Sequence, residues 1–103
     1  MVKVEIIYKG KGLQSFHVKG HANTAPHGQD LVCAAVSAIV IGGMNAIENI
    51  DEDFSYEMEE GDIKLECNGA ISEHDETVLE TMILQLKTIQ ASYPEAIAIK
   101  ERK

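Results

Sequence analysis

The sequence predicts an α+β domain of two layers, with two helices packed on a mixed, mainly antiparallel sheet in the order ββαββαβ. Three observations carry this reading. Two pairs of alternating apolar and polar stretches each flank a short glycine-containing turn; one apolar segment is too long for a strand; and one later segment repeats apolar residues at helical spacing. At 103 residues the chain is read as one domain, 1–103, long enough to close a core of its own.

The elements follow in chain order. Val2, Val4, Ile6 and Tyr8 alternate along the first strand, Val2 to Lys9, and Phe16 and Val18 alternate with Ser15, His17 and Lys19 along a second, Gln14 to Gly20. Gly10, Lys11 and Gly12 between them suit a tight turn, so the two form a hairpin. The stretch from Ala22 to Gln29, rich in Asn, Thr, Pro and Gly, reads as an irregular loop. From Asp30 the chain turns apolar, and LVCAAVSAIVIGGMNAIENI reads as a helix hydrophobic nearly all round, which must be covered on several sides. Its Ala34, Ala35, Ala38, Gly42 and Gly43 leave little bulk, so a sheet, a second helix or another subunit can approach closely.

A second hairpin sets Phe54, Tyr56 and Met58 against Ile63, Leu65 and Cys67 across a turn at Glu60, Gly61 and Asp62, with the alternating polar residues on a wet face. Ser72, with Asp75 three residues on, opens an amphipathic helix carrying Val78, Leu79, Met82, Ile83, Leu86 and Ile89, which Pro94 ends. Ala96 to Ile99 supplies the last strand.

Charge narrows the partners. The net charge is −8, spread as +1 over residues 1–50 and −9 over 51–103. Along the sequence the Lys and Arg residues form no cluster of the kind that tracks phosphates, so nucleic acid is not expected as a direct partner, whereas an acidic surface favours a basic one. The apolar run Leu31 to Met44 falls short of the roughly 20 residues needed to span a bilayer, so no membrane contact is expected. The first ten residues, MVKVEIIYKG, lack a secretory signal pattern, which points to the cytoplasm and to reduced thiols.

The two cysteines differ. Cys67 shares parity with Ile63 and Leu65 and should face the core as an inert small hydrophobe. Cys33 falls on the third helical position if Asp30 is the N-cap, where unpaired backbone N–H groups and the helix dipole stabilise negative charge on sulfur. His21 ends the second strand, and the intervening loop can return the chain so that strand end and helix start meet, which proton transfer between imidazole and thiol requires. Asp30 has two readings, an N-cap or a third member that orients His21. Ser37, one turn after Cys33, either contacts a substrate or bonds the carbonyl four residues back. No metal site is expected: on a strand His17 and His21 lie about 13 Å apart, and neither CxxC nor HExxH spacing occurs. No cofactor is called for.

The stretch GHANTAPHGQDLVCAAVSA, residues 20 to 38, resembles the signature of the ribosomal-processing cysteine protease Prp family, also called YsxB-like: Gly-His, a flexible loop, then Asp-x-Val-Cys-Ala-Ala-x-Ser. The resemblance extends over essentially the whole chain. It implies a cysteine endopeptidase that removes a short N-terminal extension from a large-subunit ribosomal protein, number twenty-seven of the bacterial series, with Cys33 as nucleophile and His21 as general base and acid. It assigns Asp30 and Ser37 to further motif positions, and implies a homodimer with a mobile loop between His and Cys. The Cys33 N–H, with a loop amide from Gly28 or Gln29, would hold the oxyanion, in which case Asp30 caps Val32. Two other classes stay open on the residues: a thiol redox protein using Cys33 alone, and a non-enzymatic module that docks on a ribosomal protein.

Overall fold

Alternation of apolar side chains fixes which face of each strand is buried, and that parity builds the sheet. The structure, a computed structural model, describes residues 1–20 and 27–103, with side chains at 1–20 and 31–103. Strand β1 (Val2–Lys9) pairs antiparallel with β2 (Gly12–Lys19) and parallel with β5 (Ile97–Arg102). Strands β3 (Phe54–Glu59) and β4 (Asp62–Cys67) form the second hairpin, and β4 joins it to β2, giving the order β3-β4-β2-β1-β5. Helices α1 (His27–Ala46) and α3 (Glu73–Ser92) lie over this sheet, and a single turn, α2 (Ile50–Asp53), links α1 to β3. The α+β class and the expected order hold, with α2 added.

One core joins the layers. Val2, Val4 and Ile6 of β1, Phe16 and Val18 of β2, Leu65 of β4 and Ile97 of β5 meet Val32, Val36, Val40 and Met44 of α1 and Leu79, Met82 and Leu86 of α3. The four-residue spacing on α1 puts one stripe against the sheet. At Gly43 an added Cβ would stand 2.2 Å from Met82 Sδ, so the absence of a side chain lets α3 pack against α1. The opposite stripe of α1 stays open: Leu31 is 60% and Ile41 40% exposed, with Ala34, Ala38 and Gly42 exposed between them. The expected cover on several sides is therefore realised on two.

Other expectations are corrected. Of the β3 residues read as core-facing, only Phe54 is buried; Tyr56 and Met58 are each 46% exposed, because β3 is the edge strand and reaches past the helical cover. Helix α1 ends at Ala46 instead of running to Ile50, since the N–H groups of Glu48 and Asn49 turn aside to donate to the Asp75 carboxylate. Ser72 caps α3 as expected, its hydroxyl accepting from the Asp75 N–H at 3.2 Å.

Candidate active site

Cys33 projects from the second turn of α1, half-buried, into a cavity of 210 Å³ between that helix and the sheet. Val2, Val18, Val36, Val40 and Ile63 make its floor, and Gly20, Ser37 and the β3–β4 turn of Glu60, Gly61 and Asp62 complete its walls. Gly20, the last residue before His21, therefore lines the same cavity as Cys33: the end of β2 and the start of α1 do come together. Gly20 is held from two sides. Its N–H donates to the Gly61 carbonyl at 2.9 Å, and an added Cβ would stand 2.6 Å from the Met1 carbonyl oxygen at a φ of +102, a conformation that favours glycine. His21 itself lies outside the described residues, as do Ala22 to Pro26 of the expected loop.

The helix start differs from expectation. α1 begins at His27, so His27, Gly28 and Gln29 are helical instead of loop, Asp30 is the fourth helical residue instead of the N-cap, and Cys33 is the seventh. Two consequences follow. The dipole effect is strongest in the first turn, one turn before Cys33, and the Cys33 N–H falls within the run of intrahelical bonds to the carbonyl four residues back, so it is not an oxyanion donor in this conformation. The N–H groups without intrahelical partners are those of the first four residues, among them Gly28 and Gln29. Helical side chains tilt towards the N-terminus, so the Cys33 thiol leans towards that turn. Ser37 is exposed at the cavity, and its hydroxyl has no hydrogen-bond partner among the described residues, whereas Thr77, Thr81 and Thr88 on α3 each bond the carbonyl four residues back.

Both cysteines are free thiols. Cys67 packs against the core, and burial, with the Asp53 charge added, pushes its thiol up to about 11. It stays a neutral thiol at physiological pH and is no competing nucleophile. At the cavity wall Asp62 accepts from His17 Nε2 at 2.5 Å, and that hydrogen bond holds its carboxyl below the usual range.

One group among the described residues, Glu48, His74 and Asp75, brings three potential metal-ligand atoms within 4.8 Å, a cluster the sequence reading did not find. Asp75 has no exposed surface, and its oxygens are occupied: Oδ1 accepts from Glu48 N at 2.9 Å and His74 Nδ1 at 3.0 Å, Oδ2 from Asn49 N at 3.2 Å. The cluster thus pins α3 to the chain between α1 and α2. Burial alone would raise the Asp75 carboxyl, but the bonds from Glu48, His74 and Asn49 outweigh it and lower it. The bond to Asp75, aided by Glu48 at 3.6 Å, raises His74.

A histidine raised on folding stabilises fully below its unfolded value near 6.5 and loses that contribution as pH rises through the folded value, whereas Asp75, lowered, keeps its contribution until pH falls below about 4. From about pH 6 to about pH 9, denaturant midpoints of the wild type should therefore fall relative to His74→Gln, more so at low salt because His74 is half exposed. A difference that does not vary with pH would dismiss the pair's contribution.

The family model for the cysteine protease Prp matches residues 1–98. The ribosomal processing cysteine protease Prp of Bacillus subtilis is 37% identical over 98 aligned positions, covering 86% of each chain, and that of Staphylococcus aureus is 29% identical over 103, covering 96% of this chain and 97% of the relative. The crystal structure of the essential ribosomal processing protease Prp from S. aureus with a covalently linked product peptide superposes with a TM-score of 0.86 at 25% identity, over 99% of this chain and 100% of that one. The architecture, the cavity holding a free thiol and the sequence all lead to one assignment: the chain belongs to the Prp family of cysteine proteases.

Proposed function

We propose that this cysteine protease removes the short N-terminal extension of a large-subunit ribosomal protein precursor, number twenty-seven of the bacterial series, with Cys33 as nucleophile and His21 as general base and acid. The observation that carries the reading is the cavity that Gly20 and Cys33 line together, because it puts the residue before His21 and the thiol on one small space. His21 takes the thiol proton, the sulfur attacks the scissile carbonyl, His21 returns the proton to the leaving amine, and water then hydrolyses the thioester. Gly28 and Gln29 supply the oxyanion N–H groups from the first turn of α1, Asp30 orients the imidazole, and Ser37 contacts the peptide. The work is done in the cytoplasm, where precursor and ribosome meet. Mass spectrometry of the extended precursor after incubation tests this: one shortened product with a new N-terminus is expected, and an intact precursor overturns it.

The protease acts as a homodimer through the uncharged outer stripe of α1. Residues 31–47 carry no charged side chain, and Leu31, Ala34, Ala38 and Ile41 lie exposed on one face, which is what a covered helix needs. Sedimentation velocity should give a dimer for the wild type and a folded monomer for Leu31→Lys. A wild-type monomer at tens of micromolar, about the highest working range of such a partner, removes the dimer.

A further inference from the structure

The sheet face turned away from the helices carries cations that lie far apart in the sequence and meet only through strand pairing. Lys3 stands directly opposite Lys19 across the β1–β2 ladder, and Lys100 of β5 pairs with Glu5, two residues further along β1. A depression of 330 Å³ opens among the three lysines, with Ala98 too short to fill it. The neighbouring acids are engaged: Glu5 accepts from Arg102 at 3.1 Å, and Asp62, across from Lys19, accepts from His17 at 2.5 Å. Lys3, Lys19 and Lys100 are exposed and, among the described residues, form no ion pair. Like charges directly opposite on neighbouring strands destabilise a sheet, so the Lys3–Lys19 pair carries a cost that a bound anion would offset.

The rest of the face narrows the kind of anion. An acidic protein would bring apolar surface to bury, and β5, β1 and β2 offer it only Ile7 and Ala98 on this side. Unpaired bases would need a ring to stack on, and Tyr8 and Phe16, the aromatic residues of these strands, pack on the helix side instead. A helix of paired bases needs neither, because it is met through its phosphates. We propose that this face binds the phosphate backbone of an RNA helix without reading its sequence. The inference rests on the proposed processing of a ribosomal protein precursor, which places the enzyme where such RNA is assembled. The Cys33 cavity opens on the helix side of the sheet, and Lys19 directly precedes Gly20 on its wall, so RNA and peptide occupy opposite sides of the same strand ends. Glu57 and Glu59 of the edge strand β3 share the cationic face beyond β4 and confine the contact to about two or three phosphates.

Fluorescence anisotropy of a fluorescein-labelled RNA duplex of about 20 base pairs, titrated with the wild type, tests the face without any peptide. Binding is expected with a Kd of about 100 μM or below at about 50 mM salt, equal for duplexes of unrelated sequence, and log K should fall against log salt with a slope of about −2 to −3. The triple variant Lys3→Gln, Lys19→Gln, Lys100→Gln should bind about tenfold or more weakly with its Tm unchanged or raised. A matched variant, Lys9→Gln, Lys11→Gln, Lys103→Gln, removes the same charge at the other end of β1 and β5 and should stay within about threefold of the wild type. Equal weakening by both triple variants, or no binding by the wild type, overturns the proposal. So does stronger competition, at equal charge, by polyglutamate or by phosphatidylserine vesicles than by unlabelled duplex, which would put an acidic protein or a membrane in place of RNA. Precursor processing by the wild type without RNA binding removes this face alone, whereas RNA binding without processing supports the face and overturns the substrate proposed above.

Discussion

Cys33→Ala lowers turnover of the processing-junction peptide by about 10⁴-fold or more and leaves its binding within about threefold of the wild type. The asymmetry comes from what the thiol does. In the proposed mechanism it forms the bond that replaces the scissile one, so its loss removes the covalent route outright, while the cavity floor of Val18, Val36, Val40 and Ile63 is untouched. On the same proposal His21→Ala should cost about 10³-fold, because a thiol without a general base still ionises in part, and the double variant should be no slower than Cys33→Ala, since the proposed roles of both groups serve one step. Cys67→Ala is the matched control. Its thiol is held neutral by burial and stands outside the cavity, so rates should stay within about twofold of the wild type. Steady-state kinetics and a binding titration on the wild type and these four variants decide the matter. Equal rates for Cys33→Ala and wild type would take Cys33 out of the mechanism, and a large loss in Cys67→Ala would point to the other sulfur.

What the sequence made legible was local. Alternation along β1, β2 and β4 identified the strands and their buried faces, and the Ser72 cap and apolar spacing identified α3. The misreadings share a physical origin in competition between local signals and distant partners. Asp30 is a good N-cap residue immediately before an apolar run, yet α1 starts three residues earlier at His27; Pro26, just ahead of it in the sequence, was the available signal, because proline is favoured at helix starts. Tyr56 and Met58 alternate like core residues, and only the position of β3 at the sheet edge leaves them exposed. Glu60 and Asp62 read as turn punctuation. Their place on the Cys33 cavity depends on β4 pairing with β2, which brings Gly61 beside Gly20 from 41 positions away in the sequence and leaves no trace in a local pattern.

Asp75→Ala should lower the stability of the fold by about 3 kcal/mol, with a fall in Tm of about 12 °C or more for a domain of this size. The side chain is fully enclosed and its two oxygens are the acceptors for the N–H groups of Glu48 and Asn49, where α1 stops and the chain turns towards α2. Alanine leaves both N–H groups without their acceptor in a part-buried place, and it also releases His74 from its 3.0 Å bond. Asp75→Asn separates the contributions: the N–H groups of Glu48 and Asn49 lie on different oxygens, and the one carbonyl oxygen of Asn can stand in only one of those places while its amide group cannot accept in the other, so about half of the loss should return. Because the pin sits between α1 and α3 and not on the Cys33 cavity, the folded fraction of either variant should keep wild-type turnover per molecule below its lowered Tm. Chemical denaturation and calorimetry measure the first effect, and kinetics at about 20 °C the second. An unchanged midpoint in Asp75→Ala would mean that the carboxylate only offsets the cost of its own burial, and that α1 and α3 are held together by Val40, Met44 and Met82 without it.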